Sequence, residues 1–324
     1  MSEIILIGEP MAMFVADYVG KLDDVEKFTR SLAGAELNVC IGLKRLNYDV
    51  SYVTKLGEDP FGKYIKKSLD SEGIDTRYIS FDKRFPTAFQ LKEKTETGDP
   101  EVVYFRKGTA ASNMTKADVE KLDLRGVRHI HITGIPPALS LSCREATYEL
   151  IRKAKDNGLF ITFDPNLRPV LWSNKEEMVK VINDIASKCD MMLPGIGEGA
   201  ILTGCNDSGA IADFYLKLGV KTVIVKDGDK GAFVKTAKES YVVPGFKVKK
   251  VVDTVGAGDG FAVGIISGLL EKLSLKDVVR RGNAIGALQV MTAGDNEGLP
   301  TRKKLQQYLK QQKVESCENT TGDR

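Results

Sequence analysis

Apolar and polar positions along the chain follow two rhythms. In the first, short and almost continuously apolar runs stand between helical stretches: "IILIG" (4–8), "HIHITGI" (129–135), "LFITFDPN" (159–166), "MMLPG" (191–195) and "KTVIVKDG" (221–228). Such runs predict strands buried on both faces, and their alternation with helices predicts a parallel sheet with right-handed crossovers. The expected class is therefore α/β, with a mostly parallel central sheet and helices on both faces. Ligands of such sheets sit beyond the strand C-terminal ends. Glu9, Asp164, Glu198, Lys226 and Asp227 each follow or close one of these runs.

The second rhythm is a period of two. It covers "MAMFVADYVG" (11–20) and "TAFQLKEKTETGDPEVVYFRKG" (87–108), where a "TGDP" turn separates two strand-like arms. Alternation predicts a half-exposed hairpin, here a small antiparallel sheet from about 10–31 and 85–110 that projects from the main one. It could be a lid over the ligand, an interface with a second subunit, or an ordinary edge hairpin. No repeat or low-complexity tract divides the chain, so one domain over residues 1–312 is expected. The tail "KVESCENTTGDR" (313–324) is polar and aperiodic, and is expected to be disordered.

Composition narrows the function. The 324 residues carry 47 basic and 44 acidic side chains, a net charge of +3 spread along the chain. No broad basic field for nucleic acid follows from that. No apolar run approaches the roughly 18 residues of a membrane span. The start "MSEIILIGEP" reads as a first strand and not as an export signal, so a cytoplasmic setting is expected. Five cysteines without a C-x-x-C pair argue against a disulfide framework or a zinc site.

The densest chemistry lies in "DTVGAGDGFAVGIISGLL" (253–270). Glycines at 256, 258 and 260 let consecutive N–H groups turn toward one point, and a helix starting near Gly258 adds unpaired amides and a positive dipole end. That is an oxyanion pocket. Asp259 stands at its mouth, where an ionised carboxylate can take a proton from a hydroxyl. For a lone G-x-G-D, an Asp that merely caps its helix would be the simpler reading. The apolar, small-residue helix that follows would seat the loop against the core. A dinucleotide fingerprint is excluded because "EPMAM", not a glycine loop, follows the first strand.

On these residues the chain resembles the ribokinase-like (PfkB) carbohydrate kinases. "DTVGAGDGF" is similar to that family's second signature, "LAGAELNVCIGLKRL" (32–46) to its first, and "VKDGDKGAFV" (225–234) to its nucleotide-site strand and turn. The similarity runs from about residue 4 to residue 310. It implies the ribokinase-like three-layer fold with a β-sheet lid. It also implies a catalytic set: Asp259 as base, with Gly256, Ala257 and Gly258 as the anion hole for the migrating phosphoryl group. ATP and Mg2+ are the implied cofactors, and a monovalent cation is left open. Glu198, in "GIGE" (195–198), would lie near the metal, although Gly195 replaces the family's usual Asn. Lys226, Gly228, Gly231 and Asn283 would wall the nucleotide.

The resemblance places contacts to the acceptor sugar at Gly34, Ala35 and Asn38. "YFRKGTAAS" (104–112) sets Tyr104 and Arg106 on one face of a lid strand, and "FDPNLRPVLW" (163–172) presents Arg168 in a proline-limited loop. Two planar guanidinium forks suit a carboxylate better than a neutral sugar. Both segments are similar to those of the 2-keto-3-deoxygluconate kinases, which implies a sugar acid as substrate. Gln90 stands where some of those enzymes carry Tyr. A fructokinase or another sugar or nucleoside kinase is the alternative, and a non-catalytic sugar-acid sensor is the alternative of another class. The exposed hairpin makes a homodimer or higher homo-oligomer through the lid an expected assembly. His129 and His131 share a face but have no third partner in view, and are expected to pack under the sheet. Trp172 is expected to anchor the Arg168 loop.

Overall fold

The computed structural model describes residues 2–96 and 100–321, with side chains as far as residue 312. Its strands are β1 (Ile4–Ile7), β2 (Met11–Ala16), β3 (Phe28–Ala33), β4 (Val50–Gly57), β5 (Ile79–Asp82), β6 (Phe89–Lys92), β7 (Val102–Phe105), β8 (His129–Thr133), β9 (Phe160–Asp164), β10 (Met191–Met192), β11 (Thr222–Lys226), β12 (Ala232–Thr236) and β13 (Ser240–Val243). Nine of them form one sheet in the order β13-β12-β11-β10-β9-β8-β1-β4-β5. Every pairing from β11 to β5 is parallel, and β12 and β13 add an antiparallel edge.

The continuously apolar runs are explained by burial on both faces. Ile4 and Leu6 of β1 enter one core while Ile5 and Ile7 enter the other, as alternate strand residues must. The first core is closed by α1 (Ala35–Arg45), α2 (Pro60–Glu72), and later in the chain α9, α10 and α11. The second is closed by α3 (Lys116–Glu120), α4 (Pro136–Leu139), α5 (Leu141–Asp156), α6 (Lys175–Ala186), α7 (Ile196–Thr203) and α8 (Ser208–Lys217). The three late helices are α9 (Ala257–Leu270), α10 (Leu275–Val290) and α11 (Arg302–Thr321). Three layers result, with helices on both faces of the sheet.

The period-two segments form the second sheet, in the order β3-β2-β6-β7. Two antiparallel pairs, β2 with β3 and β6 with β7, are joined through a parallel contact between β2 and β6. The tip of the expected "TGDP" turn, 97–99, lies outside the described residues. Over 313–321, expected as an irregular tail, the backbone instead continues α11. Polarity removes a buried face without removing helix propensity, which is favourable for Lys, Gln and Glu. Residues 322–324 lie outside the described part.

The histidines and the tryptophan meet their structural expectations. His129 Nε2 and His131 Nδ1 share the Thr162 hydroxyl at 2.9 and 2.8 Å. Burial pulls both imidazoles down to about 3, so they are neutral. Trp172 is buried in the second core under the Arg144 guanidinium, 5.1 Å from its ring centre. No described helix is long and apolar enough to cross a membrane.

Candidate active site

A cleft of about 330 Å³ opens beyond the C-terminal ends of the parallel strands, under the second sheet. It lies where the chain order reverses around β1, whose neighbours are β8 and β4. Strands on either side of β10 deliver their residues along this edge: Lys226 from β11 on one side, and on the other Asp164 from β9, Thr133 from β8 and Glu9 just after β1.

The floor is the start of α9. Gly256 caps the helix with φ 77°, and a Cβ there would sit 2.3 Å from the Asp295 carbonyl oxygen, so only glycine fits. Gly256 and Gly258 line the cleft, and Ala257 lies between them without lining it. The Ala257 N–H makes one long bond, 3.4 Å to the Thr254 carbonyl. Gly258 lies beside the Lys226 ammonium, whose Nζ is 3.6 Å from where a Cβ at 258 would stand. Amides, dipole and ammonium thus converge on one place for an anion.

Asp259 follows in the first turn, 9% exposed and on the cleft wall. Its Oδ2 accepts from Asn38 Nδ2 at 2.8 Å, and its Oδ1 faces Asn166 Nδ2 at 3.4 Å. Burial pushes its carboxyl up to about 7; the Asn38 bond opposes this, and the charges of Asp164 and Glu36 add to it. A carboxyl raised into this range has the chemistry to take up or give a proton near neutrality.

Lys226 Nζ donates to Asp164 Oδ2 at 2.6 Å. Burial disfavours its charge, yet Asp164 and Glu198 outweigh burial and hold the ammonium protonated. Glu198 accepts from the Gly195 N–H at 2.7 Å and the Leu167 N–H at 2.8 Å, so it caps α7 and pins the loop carrying Arg168. Its carboxyl is raised by burial, against the pull of Lys226. Gly195 has φ −70°, a conformation open to any residue, so the backbone does not demand glycine there.

Gly34, Ala35, Asn38, Gln90, Tyr104, Arg106 and Arg168 all line the same cleft, from three separate stretches of sequence. Gly34 has φ 135°, and a Cβ would meet the Glu9 carbonyl oxygen at 2.9 Å. Asn38 donates to Asp259 and accepts from Asn296 Nδ2 at 3.3 Å, so it orients the carboxylate as well as facing the cleft. Arg106 is paired with buried Glu9, its Nε donating at 2.7 Å, and lies 5.5 Å from the Tyr104 ring centre. The Arg168 guanidinium donates to the Leu167 carbonyl at 2.9 Å. Gly228, Gly231 and Asn283 are not on the cleft wall. Asn283 Nδ2 donates to the carbonyls of Val243 and Pro244, and Gly231 packs against the same turn, so both shape the chain leaving β13.

Several cleft residues were not singled out from the sequence. Lys92 is one, though its spacing of two from Gln90 on β6 put it on the same face. Asn166, inside "DPNLR", and Asp295 are others, and nothing local to Asp295 marked it. Glu36 is fully buried below the cleft, bonded to the Thr133 hydroxyl, with Oε2 unpartnered and its carboxyl pushed up to about 7 by burial. Among the described residues no group of three or more His, Cys, Asp and Glu is arranged to cage a metal.

The chain has relatives among known proteins. The model of the pfkB family carbohydrate kinases matches residues 1–302. The 2-dehydro-3-deoxygluconokinase of Bacillus subtilis (strain 168) is 47% identical over 313 residues, 96% of this chain and 97% of that protein. Among solved structures, a PfkB protein from Polaromonas sp. JS666 superposes with a TM-score of 0.87 at 43% identity, covering 94% of this chain and 99% of that one. A putative ribokinase II from E. coli, in complex with ATP and Mg2+, superposes with a TM-score of 0.85 at 26% identity, covering 96% and 100%. By the family match over most of its length and by the likeness to these relatives, the chain belongs to the pfkB family of carbohydrate kinases.

Proposed function

We propose that the protein phosphorylates the terminal hydroxyl of 2-keto-3-deoxygluconate with ATP, forming 2-keto-3-deoxy-6-phosphogluconate and ADP. The observation that carries this reading is the convergence of Asp259, the first amides of α9, Arg106 and Arg168 on a single cleft. In the reaction, Tyr104, Gln90 and the two arginines orient the acid. Asp259 takes the proton of the attacking hydroxyl, and Gly256, Ala257 and Gly258 with Lys226 stabilise charge on the migrating phosphoryl group. Asn38 and Asn166 aim the carboxylate. Positioning and charge stabilisation are what such a transfer requires of the protein.

Mg2+ would be held on the side of Asp164 and Glu198, whose carboxylates face the cleft beside Lys226. A site with few protein ligands suits an ion that retains waters and phosphate oxygens, and when bound it would neutralise the triphosphate. The nucleotide would extend from the amides toward the turn shaped by Gly228, Gly231 and Asn283.

One feature favours a neutral acceptor such as fructose as a second reading: Glu9 already balances the charge of Arg106. Against it, a guanidinium has five N–H donors and Glu9 engages only part of the fork. The experiment is ADP release on adding ATP, Mg2+ and a panel of sugars. Turnover fastest with 2-keto-3-deoxygluconate supports the proposal, turnover fastest with fructose replaces it, and binding without turnover would make the protein a sensor.

A further inference from the structure

Lys92 ends β6, two residues beyond Gln90, and its side chain is almost completely buried beside the cleft. Its Nζ donates to Asp253 Oδ2 at 2.7 Å and to Asp295 Oδ1 at 3.2 Å. These two carboxylates belong to different loops, and both loops build the anion site. Asp253 Oδ1 accepts from the Val255 N–H at 3.0 Å, which shapes the turn into Gly256. The Asp295 carbonyl is the atom against which Gly256 packs. Gln289 ties the same loops together, donating to the Gly294 carbonyl at 2.7 Å and reaching the Val255 carbonyl at 3.3 Å. One ammonium therefore bridges the upper sheet, which carries acceptor-facing residues, to the loops that set the phosphate-facing amides.

We propose that Lys92 is a positioning residue for phosphoryl transfer, a built-in cation that fixes the 253–256 and 294–296 loops to the lid so that acceptor and anion site keep one geometry. Two carboxylates in a water-poor place cannot stay close without a cation between them. The chain supplies that cation on the element that covers the substrate. Lid placement and amide placement are thereby set by the same contact. A misplacement of about 1 Å in a site of this kind costs on the order of 100-fold in rate.

The inference rests on the kinase reading, and the test separates the two. Lys92→Met removes the charge and keeps the length. Its kcat should fall about 100-fold while the acceptor KM stays within a few fold. Ammonium or methylammonium chloride should restore part of the lost rate in the variant and none in the wild type. Lys92→Arg should retain most of the activity. Should Lys92→Met not fold, Lys92→Met/Asp295→Asn keeps the cluster's net charge and is read in the same way. Hydrogen exchange of amides 253–258 needs no substrate: it should quicken in the variant and slow again with ammonium. Normal kcat in a folded variant, or a lost rate with no ammonium response and unchanged exchange, overturns the proposal. A wild type that releases no ADP with any sugar sinks the kinase reading instead, and the exchange measurement still decides the role of Lys92.

Discussion

Helix α9 and the upper sheet both reach the cleft, and they reach it on very different supports. From Asp259 to Gly268 every residue of α9 is buried. At Gly264 the helix lies so close to α10 that a Cβ would stand 2.4 Å from the Gly282 Cα. Among the described residues the upper sheet has a small buried core of its own, Met11, Met13, Ala33 and Ala88 with Val15 beside it, and it leaves Tyr104 and Phe105 40% and 46% exposed. Regions with few buried contacts open at low free-energy cost, whereas a helix locked by backbone contact does not. The groups assigned to bond making thus sit on the stiff support, while Gln90, Tyr104 and Arg106, which share recognition of the acceptor with Arg168 of the loop after β9, sit on or beside the one able to move. Lys92 lies where the two meet.

The largest test of this division is Asp259→Asn. It should lower kcat by about 10²- to 10⁴-fold with little change in acceptor KM, as steady-state kinetics would read. Next, Arg106→Ala beside the upper sheet and Arg168→Ala in the loop after β9 should act on recognition, raising KM for 2-keto-3-deoxygluconate by roughly 10- to 100-fold and for fructose much less. Equal rises for both sugars would remove the carboxylate from the picture.

The pH profile comes third. With its carboxyl pushed up to about 7, chiefly by burial, Asp259 is protonated below that point, so kcat/KM should show an acid limb with a midpoint near 7 that Asp259→Asn lacks. Stability runs the other way. The folded protein keeps this proton to higher pH than the unfolded chain, so the group's favourable contribution is present at low pH and lost as pH rises through about 7. The melting temperature of Asp259→Asn should therefore gain on the wild type between about pH 4 and about pH 7.

The smaller effects contrast the two supports directly. Gly264→Ala forces a Cβ into the α10 backbone, and overpacking of that kind costs roughly 1–3 kcal/mol, against about 1 kcal/mol of helix propensity gained. A lower melting temperature is expected. Phe105→Ala removes the ring stacked on Phe89 at 4.4 Å, worth about 0.5–1.5 kcal/mol, and should change acceptor KM more than melting temperature. The reverse pattern would show that the lid, not the helix pair, carries the stability.

Much of this was legible along the chain. "IILIG" read as a doubly covered strand because both faces of β1 are buried, and glycine at 256 was readable as a turn because a positive φ there permits nothing else. The two arms of the lid followed from their period of two. The structural part of Gly231 and Asn283, which is to shape the chain leaving β13, was not legible. A turn glycine and a helical Asn look alike in sequence whether they face a ligand, a neighbouring turn or both. Asp295 carried no local signal, since its role comes from meeting a lysine 203 residues away.

Local residue chemistry alone determined the layered α/β class, the anion-seeking helix start and the placing of Asp259 beside it, because periodicity, φ restrictions and helix polarity act over a few residues. Only the tertiary structure decided which charges face one another: Glu9 with Arg106, Asp164 with Lys226, Lys92 with Asp253 and Asp295. Those pairings depend on distance and burial in space. Burial, with the charges of Asp164 and Glu36 added, sets the raised carboxyl of Asp259, and the Lys92 pairing joins lid and anion site.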